Sequence, residues 1–180
     1  MVEIAGHRRL AHLEYLGDAT QFAGQMHRMV TYSPLFENFN LAEIRLMSHF
    51  MHVYSAGPGQ EILHEGEQGD YMLMILQGRV EVFKQDRWNT PQLIAVVEAG
   101  KTLGEMSMID GEPRFATCVG AEACTIAVLS RENLARIILE QPILGAKILM
   151  ELVLMLSQRL RQTSAKLVGL MDKDKDRDRS

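Results

Sequence analysis

The sequence predicts an α+β fold: an antiparallel β-roll or jelly-roll, with N-terminal helices before it and a long C-terminal dimerisation helix after it. Three observations carry that prediction. Short apolar runs separated by glycine-bearing turns recur between His52 and Ser130, the pattern of a small antiparallel sandwich. Helical periodicity brackets those runs on both sides. The C-terminal bracket is long enough to carry a heptad repeat.

In chain order, residues 8–31 read as helix, because Leu10, Leu13, Leu16, Phe22, Met26 and Val30 recur mostly every three or four positions. Gly17 and Gly24 weaken that helix, and a break is expected near Gly17. Ser33-Pro34 marks a turn. Asn40 is placed to cap a second helix over 41–51. Strands are expected at 53–56, 61–64, 71–76, 79–84, 92–97, 117–120 and 124–129. The 71–76 run is wholly apolar, whereas 79–84 alternates strictly. Ser130 caps a helix over 131–140, which Gln141-Pro142 interrupts. A long helix then starts with Pro142 in its first turn and runs to about Met171.

Two stripes run along that last helix. Leu149, Val153, Leu156, Leu160, Thr163, Leu167 and Leu170 alternate four- and three-residue spacings, a seam for self-association with one polar member. Leu144, Ile148, Leu152 and Met155 form a second stripe that packs on the protein's own barrel. The tail from Asp172 alternates sign without apolar residues and reads as a frayed helix end or as disorder. The chain therefore divides into an N-terminal helical segment (1–33), a β-roll with flanking helices (34–141), the long helix (142–171) and a charged tail (172–180).

A chain of 180 residues with 47% hydrophobic residues is one domain plus an appendage, with material for a real core. The net charge of −4 provides no global field for nucleic acid or an anionic membrane, so any anion site is local. Cys118 and Cys124 match no zinc spacing and read as buried thiols of a reducing compartment. The first sixteen residues lack the apolar stretch of a secretory signal. The longest apolar run, 143–156, contains Lys147 and Glu151 and is too short for a membrane span. A cytoplasmic location is expected. The six histidines form no metal-binding spacing, and no nucleophile stands near a general base in the sequence. An enzyme, a metal and a cofactor are not expected.

The chemistry concentrates between Gly104 and Thr117. Gly104 opens a short apolar turn of helix, Gly111 and Pro113 end it, and Arg114 enters an apolar strand. Open amides at a helix start facing one arginine make an anion cradle. Read without a ligand, Arg114 would pair with Glu105 or Glu112, and Glu105 would only complement the helix dipole.

With Gly104-Glu105, Pro113-Arg114 and Ala116-Thr117 at their spacing, after a β-roll, the chain resembles the cyclic nucleotide-binding domain family from about Pro34 to Met171. The loop is similar to that family's phosphate-binding cassette. Residues 65–70 and 77–80 are similar to its turns. The resemblance implies that Glu105 accepts from a ribose hydroxyl. It implies that the amides of Gly104, Glu105 and Met106 face the ribose-phosphate, and that Arg114 meets the cyclic phosphate. Phe115 departs from the small residue usual there: its amide can still donate, but its ring has no hydroxyl for guanine. Residues 158–166 resemble the dimer helix of catabolite-activator-type regulators. That likeness implies that Thr163, and Ser164 of a second copy, meet an adenine amino group. The implied function is a cAMP sensor that relays occupancy through the long helix to a partner protein, with cGMP or cyclic di-GMP as other ligands. The alternative is a ligand-free docking module whose phosphate pocket is filled by Phe115. The few residues after Met171 leave no room for the helix-turn-helix of those regulators, so direct DNA binding is not expected.

Overall fold

Two antiparallel sheets face each other across an apolar core in the computed structural model, which describes residues 10–177. The elements are β1 (Glu14–Asp18), α1 (Ala23–Arg28), α2 (Leu41–Ser48), β2 (His52–Ala56), β3 (Glu61–Leu63), β4 (Tyr71–Gln77), β5 (Arg79–Gln85), β6 (Pro91–Glu98), β7 (Thr102–Leu103), α3 (Glu105–Asp110), β8 (Thr117–Gly120), β9 (Cys124–Ser130), α4 (Arg131–Glu140) and α5 (Pro142–Arg177). One sheet has the order β1-β2-β9-β4-β7, the other β3-β8-β5-β6. Every pair is antiparallel.

The wholly apolar β4 follows from its place. Tyr71, Leu73 and Ile75 point into the core between the sheets. Met72, Met74 and Leu76 point the other way, into a second core roofed by helices. A strand covered on both faces loses the hydrophobic–polar alternation of a half-exposed one. β5 keeps its alternation because only Val80 and Val82 face inward. β6 is an edge strand, and Leu93, Ile94 and Val96 are each about half exposed.

The N-terminal expectation of a helix over 8–31 is corrected. Residues 14–18 form β1, which pairs with β2 through a bulge between Tyr15 and Gly17. Gly17 sits at φ 120, a conformation a side chain rarely adopts. Leu10 and Leu13 are buried against the inter-sheet core, while Leu16 is 38% exposed. The three-residue spacing of those leucines therefore does not mark a helix face. Strand pairing with distant β2 overrides local periodicity. Only Ala23–Arg28 is α-helix, flanked by two 3-10 turns. Residues 14–18 of the 1–33 segment thus belong to the first sheet, 19–31 form the helical turns, and residues 1–9 lie outside the described residues.

The helix boundaries follow their caps. Asn40 and Glu43 form a reciprocal capping box at α2, with bonds of 3.0 and 2.8 Å. Ser130 accepts from the Asn133 amide at 3.1 Å and starts α4. α5 buries Leu144, Ile148, Leu152 and Met155 in the helix-roofed core, as their stripe predicts. The two charges that interrupt its apolar run are both used. Lys147 Nζ donates to Glu43 at 2.8 Å, and Glu151 accepts from Asn38 at 2.7 Å. From Gln158 to Gly169 every residue is exposed, and the helix continues through the charged stretch to Arg177. Among the described residues no helix is long and apolar enough to cross a membrane.

Candidate ligand-binding site

The cassette begins where β7 ends. Gly104 adopts φ 78 and turns the chain into α3, whose first residue is Glu105. Gly111, at φ 81, closes α3, and its amide donates to Ser107 O at 3.0 Å. The chain then passes through Pro113 to Arg114. Backbone bonds pin Arg114 to the β3–β4 turn: its amide donates to Glu67 O at 2.8 Å, and its carbonyl accepts from Gly66 N at 2.9 Å. Thr117 fixes the same turn from β8, its hydroxyl accepting from the Glu65 amide at 3.0 Å.

Arg114 is the buried cation of this region, only 4% exposed. Its Nη1 donates to Gly104 O at 2.8 Å, so it straps the end of the cassette to its beginning. The guanidinium lies over the Tyr71 ring, 4.4 Å from the centroid. Its Nη2 is buried and has no hydrogen-bond partner. Two glycines make room for it. A Cβ on Gly69 would stand 2.1 Å from Arg114 Cζ, and one on Gly104 would stand 2.6 Å from Nη1. Both would have to displace the guanidinium.

Glu105 is 1% exposed, and its Oε2 is also buried without a partner. Its Oε1 is ion-paired with Arg159 of α5, whose Nη2 also approaches Thr102 O at 3.4 Å. Arg114 pairs with neither Glu105 nor Glu112; the carboxylate of Glu105 belongs to the long helix instead. A buried, unpaired donor nitrogen on an arginine costs free energy unless an anion meets it. The same holds for the second carboxylate oxygen, which calls for a hydroxyl or amide donor. The cassette thus offers one donor to an anion and one acceptor to a hydroxyl.

The remaining expected residues fall as follows. Met106 is exposed on α3, with its amide in the first turn, where helices leave their N–H groups unbonded. Phe115 is 56% exposed and is not part of the core. Lys84 Nζ stands 4.6 Å from its ring centroid and bonds Glu65 at 2.6 Å. Thr163 and Ser164 are exposed on α5, and the Thr163 hydroxyl donates to Arg159 O at 2.9 Å. Thr163 stands four residues after Arg159 and so shares its helix face. The structure therefore brings Gly104, Glu105 and Arg114 together and leaves Thr163-Ser164 one turn beyond the contact with Glu105. Leu149, Val153, Leu160 and Leu167 of the seam are exposed in the single chain.

Four participants were missed in the sequence reading. Gly69 and Tyr71 shape the arginine cradle, Arg159 holds Glu105, and Arg131 reaches α3 from the start of α4. Gly69 lay within a turn already singled out. The two arginines had no local signal, because their partners lie 54 and 24 residues away. Cys118 and Cys124 are free and buried, and burial pushes the Cys118 thiol up to about 12. No group of three or more metal-ligating side chains occurs among the described residues.

The sequence profile of the cyclic nucleotide-binding domain matches residues 54–141. The crystal structure of a cyclic nucleotide-binding domain from Methylobacillus flagellatus is 37% identical and superposes with a TM-score of 0.81, covering 92% of each chain. The cyclic AMP receptor protein of Thermus thermophilus is 26% identical over 135 residues, 75% of this chain and 61% of that protein. The cAMP-dependent protein kinase regulatory subunit of Eremothecium gossypii is 33% identical over 81 residues, 45% of this chain and 17% of that protein. The chain thus spans less than two thirds of the length of these two relatives.

Proposed function

This chain belongs to the cyclic nucleotide-binding domain family, and from that premise we propose that it is a regulatory sensor whose ligand is cAMP. The observation that carries the reading is the pair of buried, unpartnered atoms, Arg114 Nη2 and Glu105 Oε2. They are complementary to the two polar parts of a cyclic ribose phosphate. The phosphate supplies acceptor oxygens for Arg114 and for the open amides of α3. The ribose hydroxyl donates to Glu105. Phe115 supplies no side-chain donor or acceptor for a guanine, which favours adenine, as does the likeness to the cyclic AMP receptor protein and the cAMP-dependent kinase subunit. Thr163 of one copy and Ser164 of a second would meet the base.

In this reading the output is mechanical. The seam residues of α5 form a parallel pair with a second copy, because exposed leucines at heptad spacing bury each other in that way. Occupancy changes which contacts hold α3, and α3 is held by both C-terminal helices. A ligand shifts that balance only if it binds one arrangement better than the other. The altered helix pair is then read by a partner protein. No group in the cassette is placed as nucleophile or general base, so the reading is a binding function rather than catalysis.

Calorimetric titration of nucleotide-free protein with cAMP, cGMP and cyclic di-GMP tests this. Saturable heat with cAMP, and weaker binding of the other two, is the expected result. A tighter response to cyclic di-GMP would replace the ligand. No heat with any of the three would sink the sensor reading and leave a docking module.

A further inference from the structure

We infer that Arg131 is the positioning residue that couples movement of the cassette to the C-terminal helices; the inference rests on the sensor reading above. Arg131 is the first residue of α4, directly after the Ser130 cap. Its backbone amide donates to Asp70 O at 2.7 Å. Asp70 adjoins Gly69, against which the Arg114 guanidinium lies. The Arg131 side chain reaches the other wall of the same cradle. Its Nε donates to Met108 O at 2.5 Å and its Nη2 to Ser107 O at 2.7 Å. Both carbonyls belong to α3. The guanidinium also lies against Gly111, 3.4 Å from where a Cβ would stand.

One residue therefore touches both walls of the anion cradle and is covalently continuous with α4. A guanidinium near a helix C-terminus adds donors to its last carbonyls and complements the negative end of its dipole. Two bonds from one planar fork fix orientation as well as distance. When α3 shifts toward a bound phosphate, this fork shifts the start of α4 with it. Along the chain itself, α3 and α4 are joined only through the long path of β8 and β9. Arg159 holds the other end of α3 through Glu105, but from α5, beyond the break at Gln141. Arg131 thus acts on the near side of the hinge and Arg159 on the far side. Arg131 is exposed as a residue, so it adjusts without repacking the core.

The test is hydrogen exchange of the full chain, with and without saturating cAMP, in wild type, Arg131→Ala, Arg131→Gln and Arg131→Lys, beside calorimetry and melting temperatures. In wild type, cAMP changes exchange in α4 and the first turns of α5. In Arg131→Ala, cAMP still gives saturable heat, while the ligand-dependent change in α4 falls roughly 5-fold or more, the lower end of the usual coupling between sites. Arg131→Lys, with one donor centre, recovers part of the response. If Arg131→Ala does not fold, Arg131→Gln is judged by the same criterion. A merely structural role lowers the melting temperature and leaves the ligand-dependent change at its wild-type size; that result overturns the inference. Loss of cAMP binding in every variant overturns it too, because Arg131 would then belong to the cradle itself. Wild-type protein that gives no heat removes the sensor reading and this inference together. Wild-type heat with unaltered responses in the variants removes this inference alone.

Discussion

Replacing Gly69 by alanine tests the anion cradle without altering any charged group. Gly69 does not have a positive φ, so the backbone accepts alanine. The new methyl carbon would stand 2.1 Å from both Cζ and Nε of Arg114. No non-bonded pair of heavy atoms tolerates that separation, so the guanidinium must leave its place over Tyr71. A charge-assisted hydrogen bond contributes about 1.5–3 kcal/mol. At about 1.4 kcal/mol per decade, losing the one from Arg114 to the phosphate weakens cAMP binding roughly 10- to 150-fold. Overpacking also costs about 1–3 kcal/mol of stability, so melting is followed alongside calorimetry to show that the variant is folded at the assay temperature. Gly24→Ala is the matched control. It lies in α1, its Cβ would be no nearer than 4.0 Å to Arg28, and alanine there gains up to about 1 kcal/mol of helix propensity. Folded Gly69→Ala that binds cAMP within a factor of about two of wild type, well under 1 kcal/mol, would refute the assignment of Arg114 as the phosphate partner.

Four further predictions concern other contacts. Arg159→Ala strands the buried Glu105 carboxylate and lowers the urea midpoint more than Glu105→Gln does, because an unpaired buried charge costs several kcal/mol and a neutral amide less. Hydrogen bonding by Lys147, then by the Asn40 amide, holds Glu43 below its ordinary 4.5. Its stabilising contribution is complete above that ordinary value and is lost as pH falls through the lower folded value. Glu43→Gln should therefore flatten the acid limb of the stability curve by about 1 kcal/mol or less, since both partners are partly exposed. Neither Cys118 nor Cys124 should react with a thiol reagent in the native protein, and both should react in denaturant; native labelling would contradict their burial. Leu160→Glu should convert a dimer to monomer in sedimentation equilibrium, since two seam leucines forgo about 1.5–3 kcal/mol of burial each. An unchanged dimer would place the interface elsewhere.

The cassette was legible because its parts are close in sequence. Gly104, Glu105, Pro113 and Arg114 lie within eleven residues, and each acts through local geometry. The capped starts of α2 and α4 were legible for the same reason: Asn40 and Ser130 bond amides three residues on. Phe115 was not. Its ring lies exposed under Lys84, a placement that depends on where β5 runs. Thr163 was expected to turn inward toward a base; in the single chain its hydroxyl bonds its own helix.

Taken alone, the sequence determined seven of the strand runs, the helix caps, the two stripes of the long helix and the turns of the Gly104–Thr117 loop, because period, capping and turn chemistry act over a few residues. Tertiary structure decided the rest. Strand pairing with β2 made residues 14–18 a strand in place of a helix. The fold brought Gly69 and Tyr71 up to Arg114, and it gave Glu105 to Arg159 and the end of α3 to Arg131. Each of those contacts joins residues far apart in the chain. Their energy depends on burial and approach distance, which exist only once the sheets and helices have packed.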